Sequence, residues 1–210
     1  MRKENKPFIK VCGIRDIETA RLLFALSVDA VGFISYKKSP RYISAEELKM
    51  ILLDIGSSEK DKVGVFVNED IDTVKAYMDA GITVAQLHGD ESESFAEQCN
   101  RIGLKVWKAL RPVNESDIDK YINYPAEKFL IDAFKKGVPG GTGEQVDRQL
   151  AVYAVDRFCV PVILAGGLNP SNALEIYNEV KPFGLDINSG VEIAPGIKDS
   201  KKIIQILSLW

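Results

Sequence analysis

The chain has 210 residues, 46% hydrophobic and 27% charged, with a formal net charge of −3. That is the balance of a soluble globular protein with one large or two small domains, and it offers no broad basic surface for nucleic acid. No apolar stretch is long enough to span a bilayer and the opening MRKENKPF lacks the apolar core of a signal peptide, so a cytoplasmic protein without membrane or nucleic-acid partners is expected.

The elements alternate along the chain between short apolar runs and helical patterns. A run at 8–12 is followed by Ile17, Ala20, Leu23 and Phe24 on one helical face, and a run at 30–35 by Leu48, Ile51, Leu52 and Ile55. Runs at 62–67 and 83–87 precede helical stretches at 70–80 and 91–101. The run at 105–110 precedes a weaker helix at 114–121, with Asn114 and Ser116 as possible caps. Residues 128–132 lead into a glycine-rich stretch at 137–143 and a helix at 146–157. Runs at 160–165 and 184–188 precede helices at 170–180 and 199–209. Most runs are continuously apolar, as strands covered on both faces require.

Eight strand–loop–helix units in this length predict an α/β fold, one closed (β/α)8 TIM barrel over 1–210. An open doubly wound sheet shares the local pattern. The count of eight, the lack of a GxGxxG turn after the first strand and the lack of a linker favour closure, and 137–143 reads as a long loop.

In such a barrel the loops after the strands form the active face. Gly166-Gly167 and Asn188-Ser189-Gly190 are tight turns after the last two strands, where backbone N–H groups can seat a phosphate; a phosphorylated small-molecule substrate is therefore expected. Cys12 is either a small buried hydrophobe or a thiolate base at the rim. Asp132, directly after Phe129-Leu130-Ile131, is either a helix cap or a working carboxylate; the long loop after it argues against simple capping. Arg41 is either solvated or a planar clamp for a carboxylate, stiffened by Pro40. His88 has structural and functional readings, Asp186 can orient loop amides, and Gly141 lies in a Gly-Thr-Gly nest or cover. Cys12, Cys99 and Cys159, odd in number and widely spaced, argue against a disulfide framework or CxxC metal site; with His88 the sole histidine, neither metal nor cofactor is expected.

The ordered set KVCGI at 10–14, SPRYI at 39–43, VGVFVN at 63–68, QLHGDE at 86–91, LIDA at 130–133, GGTG at 140–143, LAGGL at 164–168 and DINSGVE at 186–192 resembles the phosphoribosylanthranilate isomerase family of tryptophan biosynthesis. The resemblance spans nearly the whole chain. It implies a (β/α)8 barrel, a general base at Cys12, a general acid at Asp132 and an anthranilate-carboxylate partner at Arg41. It also implies an Amadori rearrangement without a cofactor. The chain departs from the family pattern at Glu144, Gln145 and Val146, where lysine, threonine and phenylalanine are usual, and at Asn188, often serine. The first change alters charge near a substrate loop; the second keeps a polar side chain and the backbone N–H groups. Indole-glycerol-phosphate synthase, for which Lys108 is the one candidate lysine, and a non-catalytic sugar-phosphate sensor are the alternatives. A monomer and a homodimer are equally compatible with the sequence.

Overall fold

Eight short strands, each followed by a chain reversal through a helical segment, run parallel. They are β1 (Phe8–Val11), β2 (Ala30–Ile34), β3 (Asp61–Phe66), β4 (Val84–Leu87), β5 (Lys105–Leu110), β6 (Lys128–Asp132), β7 (Val162–Ala165) and β8 (Gly184–Ile187). In the computed structural model, which describes residues 6–132 and 148–210, they close into a barrel in sequence order. The seam is β1 against β8, with Phe8 opposite Gly184 and Val11 opposite Ile187. The expected closed barrel is present, and the open sheet is excluded.

The helices outside it are α1 (Ile17–Ala25), α2 (Ala45–Ile55), α3 (Ile71–Ala80), α4 (Glu93–Arg101), α5 (Glu115–Asp119), α6 (Arg148–Arg157), α7 (Ala173–Val180) and α8 (Ser200–Leu207). Their starts are written locally. Asp16, Ser44, Asp70, Ser92, Asn114 and Asp199 each accept a first-turn N–H, and Ser44 with Glu47 forms a reciprocal capping box. Two helices start later than the apolar pattern suggests. At α4, Glu91 is drawn into an ion pair with Lys108 and Ser92 takes the cap. At α7, Asn169 and Asn172 both bond the Gly167 carbonyl, which holds 167–172 as a turn.

Strand alternation separates two cores. Ile9, Val11, Val31, Phe33, Leu87, Phe129 and Leu185 face outward against the helices. Phe8, Cys12, Ala30, Val65, Trp107, Leu130 and Ala165 face the barrel interior. The floor is aromatic: Phe8 and Trp107 meet edge-on at 5.8 Å, and the Lys128 ammonium lies 4.8 Å from the Trp107 ring centre. Above that plug the inward positions become polar, which places the chemistry at the strands' C-terminal mouth.

One element was not anticipated. A hairpin of β9 (Glu192–Ala194) and β10 (Ile197–Lys198) follows a short 3-10 turn at Ser189–Val191. Its signal is Pro195-Gly196, a turn dipeptide between two short segments. Gly196 has φ of 83°, and a Cβ there would lie 2.8 Å from the Pro40 carbonyl oxygen. The hairpin therefore packs against the loop carrying Arg41.

Candidate functional site

Cys12 follows β1 and faces the interior beside Lys10, two positions earlier on the same face. Lys10 is fully buried and donates to Asp186 Oδ2 on β8 at 2.8 Å. Burial pushes the Cys12 thiol upward; the Lys10 ammonium pulls it back down, and the Asp186 carboxylate adds to the rise. Burial acts to lower Lys10, but the Asp186 and Cys12 charges outweigh it and hold the ammonium on. Asp186 Oδ1 is buried without a partner, so the site keeps one carboxylate acceptor in reserve. Gly32 on β2 makes room for the sulfur: a Cβ there would lie 2.7 Å from Sγ.

Asp132 ends β6, inward by alternation with Leu130. Burial raises its carboxyl, partly countered by Arg111, whose Nε lies 3.5 Å from Oδ2. Arg111 also places Nη2 3.2 Å from His88 Nε2. Burial first, then the Arg111, Lys10 and Lys108 cations, hold His88 down at about 3. His88 is therefore neutral near pH 7. Arginine can only donate, so Nε2 accepts and the proton sits on Nδ1; the Gln86 side-chain amide 3.2 Å away receives that proton when its oxygen, otherwise buried without a partner, is the atom turned to the ring. His88 is thus a hydrogen-bond relay along the rim rather than a cation.

Gly166 and Gly167, with φ of 98° and 63°, form the turn after β7. The turn after β8 comes so close that a Cβ on Gly190 would fall on the Leu168 carbonyl oxygen. Asn188, Ser189 and Gly190 therefore share one seat with Gly166 and Gly167. The Asn188 side chain is committed elsewhere: its Oδ1 and its carbonyl accept from Lys198 Nζ at 2.8 and 3.0 Å. What this seat offers an anion is chiefly backbone.

Arg41 is not solvated. Its Nε and Nη2 donate to Glu192 Oε1 and Oε2 at 2.7 and 2.6 Å. Gly141 lies outside the described residues, as do Glu144, Gln145 and Val146. Lys108 faces away from the mouth: Trp107 and Ala109 point inward, and Lys108 is buried outside the barrel on Glu91 Oε2 at 2.9 Å. A lysine so placed cannot serve as the catalytic group of a synthase.

The sequence reading gave no role to Lys10, Arg111, Glu192 or Lys198. Lys10 had a usable signal, a lysine two residues before a rim residue on the same strand. Glu192 had none locally, since it is 151 residues from Arg41.

A closed barrel of eight parallel strands with ionisable groups and paired glycine turns around its mouth belongs to the (β/α)8 barrel class. Within that class the chain belongs to the N-(5'phosphoribosyl)anthranilate (PRA) isomerase family, whose profile matches residues 9–208. The N-(5'-phosphoribosyl)anthranilate isomerase of Geotalea uraniireducens is 39% identical over 202 residues, covering 95% of this chain and 96% of its own. The phosphoribosyl anthranilate isomerase of Thermotoga maritima superposes with a TM-score of 0.87 at 35% identity, covering 97% of this chain and 98% of its own. A second solved isomerase, in complex with reduced 1-(o-carboxyphenylamino)-1-deoxyribulose 5-phosphate, has a TM-score of 0.84 at 33% identity, with 97% of each chain covered.

Proposed function

We propose that this protein converts N-(5'-phosphoribosyl)anthranilate to 1-(o-carboxyphenylamino)-1-deoxyribulose 5-phosphate in tryptophan biosynthesis, with Asp132 as general acid and Cys12 as general base. Family membership supports the reaction. One observation carries the assignment of roles: a thiol directly after the first strand and a carboxyl at the end of the sixth face the same mouth, on either side of the β7 and β8 glycine turns.

With phosphate in that seat, the ribose lies between the two groups. Asp132 gives its proton to the ring oxygen while the anilinic nitrogen pushes its lone pair onto C1'. The C1'–O bond breaks and an iminium forms. Cys12 thiolate removes the C2' proton, and the electron pair left behind neutralises the iminium as an enolamine. Tautomerisation of the enolamine yields the aminoketone. The substrate's own iminium is the electron sink.

The same burial acts on the two groups in opposite senses. A raised carboxyl pKa suits an acid that must arrive protonated. A raised thiol pKa opposes a base that must be ionised, and Lys10 is the cation that counters it. Arg41 binds the anthranilate carboxylate at the far end of the substrate, and His88 and Asp186 line the path between.

The test is turnover of the fluorescent substrate by purified protein. Cys12→Ala and Asp132→Asn each lose about 10²–10⁴-fold in kcat while staying folded, the usual contribution of a general acid or base. A near-normal rate in either variant removes that residue from its role. Tight binding of a product analogue with no turnover by the intact chain would favour a sensor instead.

A further inference from the structure

Arg41 meets the hairpin, not solvent. Glu192 occupies its Nε and one face of Nη2 with two short, parallel bonds, and both partners are largely buried, at 19% and 5% side-chain exposure. Such a fork fixes the guanidinium plane. It leaves the end-on edge, the remaining N–H groups of Nη1 and Nη2, without a partner from Glu192. That edge is the geometry that takes a second carboxylate bidentately.

Charge completes the argument. A carboxylate bound to one arginine makes a neutral pair with little pull on an anion. Here Glu192 Oε1 also accepts from Lys198 Nζ at 2.8 Å, and Lys198 is 1% exposed. Burial pulls the Lys198 ammonium down, but its Nζ donates to three acceptors, the Asn188 carbonyl, Asn188 Oδ1 and Glu192 Oε1, as only the charged form can. Arg41, Glu192 and Lys198 together therefore carry a net single positive charge, and Arg41 is the more exposed cation. Burial acts to raise the Glu192 carboxyl, but the bonds from Arg41 and Lys198 outweigh it, so Glu192 stays ionised. The Glu192 backbone is held as well, its carbonyl accepting from Lys202 Nζ at 2.8 Å. At the other end of the hairpin Gly196 packs on the Pro40 carbonyl oxygen, to which Arg15 donates at 2.7 Å. The loop carrying Arg41 is therefore pinned at two points by one hairpin.

We propose that Glu192 is the positioning residue that makes this enzyme selective for an aromatic carboxylate: it orients Arg41 so that the arginine's free edge meets the ortho-carboxylate of the substrate. This inference rests on Arg41 being the carboxylate clamp. Lys198 supplies the charge that keeps the Glu192–Arg41 pair attractive to an anion, and its bonds to Asn188 tie the same cluster to the phosphate seat.

The experiment measures Kd by calorimetry for two ligands. One is reduced 1-(o-carboxyphenylamino)-1-deoxyribulose 5-phosphate; the other is the same compound with hydrogen in place of the ring carboxylate. The ratio of the two affinities isolates carboxylate recognition, because any damage to the phosphate seat affects both ligands. Glu192→Asp keeps the charge and the balance with Lys198 but retracts the carboxylate by one methylene. The ratio is expected to fall about tenfold, as for the loss of one oriented charge-assisted contact. Glu192→Gln gives the cluster a second net positive charge, so a purely electrostatic role would raise the ratio, whereas a positioning role lowers it.

A ratio unchanged in Glu192→Asp, or raised in Glu192→Gln, overturns the proposal. Arg41→Ala separates this failure from failure of the clamp itself. If Arg41→Ala abolishes the ratio while both Glu192 variants keep it, the clamp stands and the positioning role falls. If Arg41→Ala leaves the ratio intact, the clamp reading is lost and the Glu192 proposal with it.

Discussion

Lys108→Met tests whether the buried lysine of β5 is structural. Its ammonium donates to the Leu87 carbonyl at 3.3 Å, the Gly89 carbonyl at 2.6 Å and Glu91 Oε2 at 2.9 Å, with no solvent exposure. Glu91 in turn receives the N–H groups of Asn68 and Gly89. Methionine fills the volume beside Tyr121 and Tyr124 but strands a carboxylate that is 3% exposed. Breaking one side of a buried pair costs about 3–5 kcal/mol. At about 2–4 °C per kcal/mol for a chain of this size, Tm falls by roughly 6–20 °C. Urea and thermal unfolding followed by circular dichroism read this directly. The double variant Lys108→Met/Glu91→Gln removes the stranded charge and recovers part of the loss. A destabilisation under about 1 kcal/mol would refute the energetic reasoning. A fully stable Lys108→Met with abolished turnover would place Lys108 in the chemistry after all.

Three further outcomes follow from the site. Asp132→Asn is more stable than the parent near pH 7, because burial raises the native carboxyl above its ordinary 3.8 and its ionisation then costs stability. The advantage is absent below 3.8, where both folded and unfolded carboxyls are protonated. It grows as pH rises from there through the raised folded value; Tm measured against pH checks this, and an advantage that shrinks with rising pH contradicts the sign. Lys10→Met removes the cation that opposes burial at Cys12, so alkylation of Cys12, followed by peptide mass spectrometry against exposed Cys159, shifts to more alkaline pH. An unchanged profile removes Lys10 from the tuning of the thiol. Gly190→Ala drives a methyl group into the Leu168 carbonyl and separates the two glycine turns. Overpacking of this kind costs about 1–3 kcal/mol, and phosphate affinity by calorimetry falls with it; unimpaired phosphate binding would mean the seat does not need the two loops this close.

The barrel was legible because its signals are local: eight apolar runs, helices opened by Asp, Ser or Asn caps, and glycines at the rim. Which way a strand residue faces is different information. In strands buried on both sides, inward and outward positions are equally apolar, so Lys10 and Lys108 look alike in sequence. Parity distinguishes them once one inward rim residue is known. Counting back by two from Cys12 puts Lys10 inside. In β5 the inward positions are 107 and 109, and the same count puts Lys108 outside, where the structure has it on Glu91. The rim arginine Arg111 extends this inward series, which is why it reaches both His88 and Asp132.

The partners of the rim residues lie a step beyond parity. Arg41 and Glu192 belong to loops separated by most of the chain, and no spacing rule links them. Closure of β8 onto β1, with β2 beside it, makes those loops neighbours. In a closed barrel the residues after the last strand therefore stand beside those after the first and second. Polar groups in a C-terminal extension such as β9–β10 are candidates to support the opening loops. An acidic residue just past the strand-eight glycine turn, followed by a Pro-Gly hairpin and a lysine, is the pattern that fixes a rim arginine in place here.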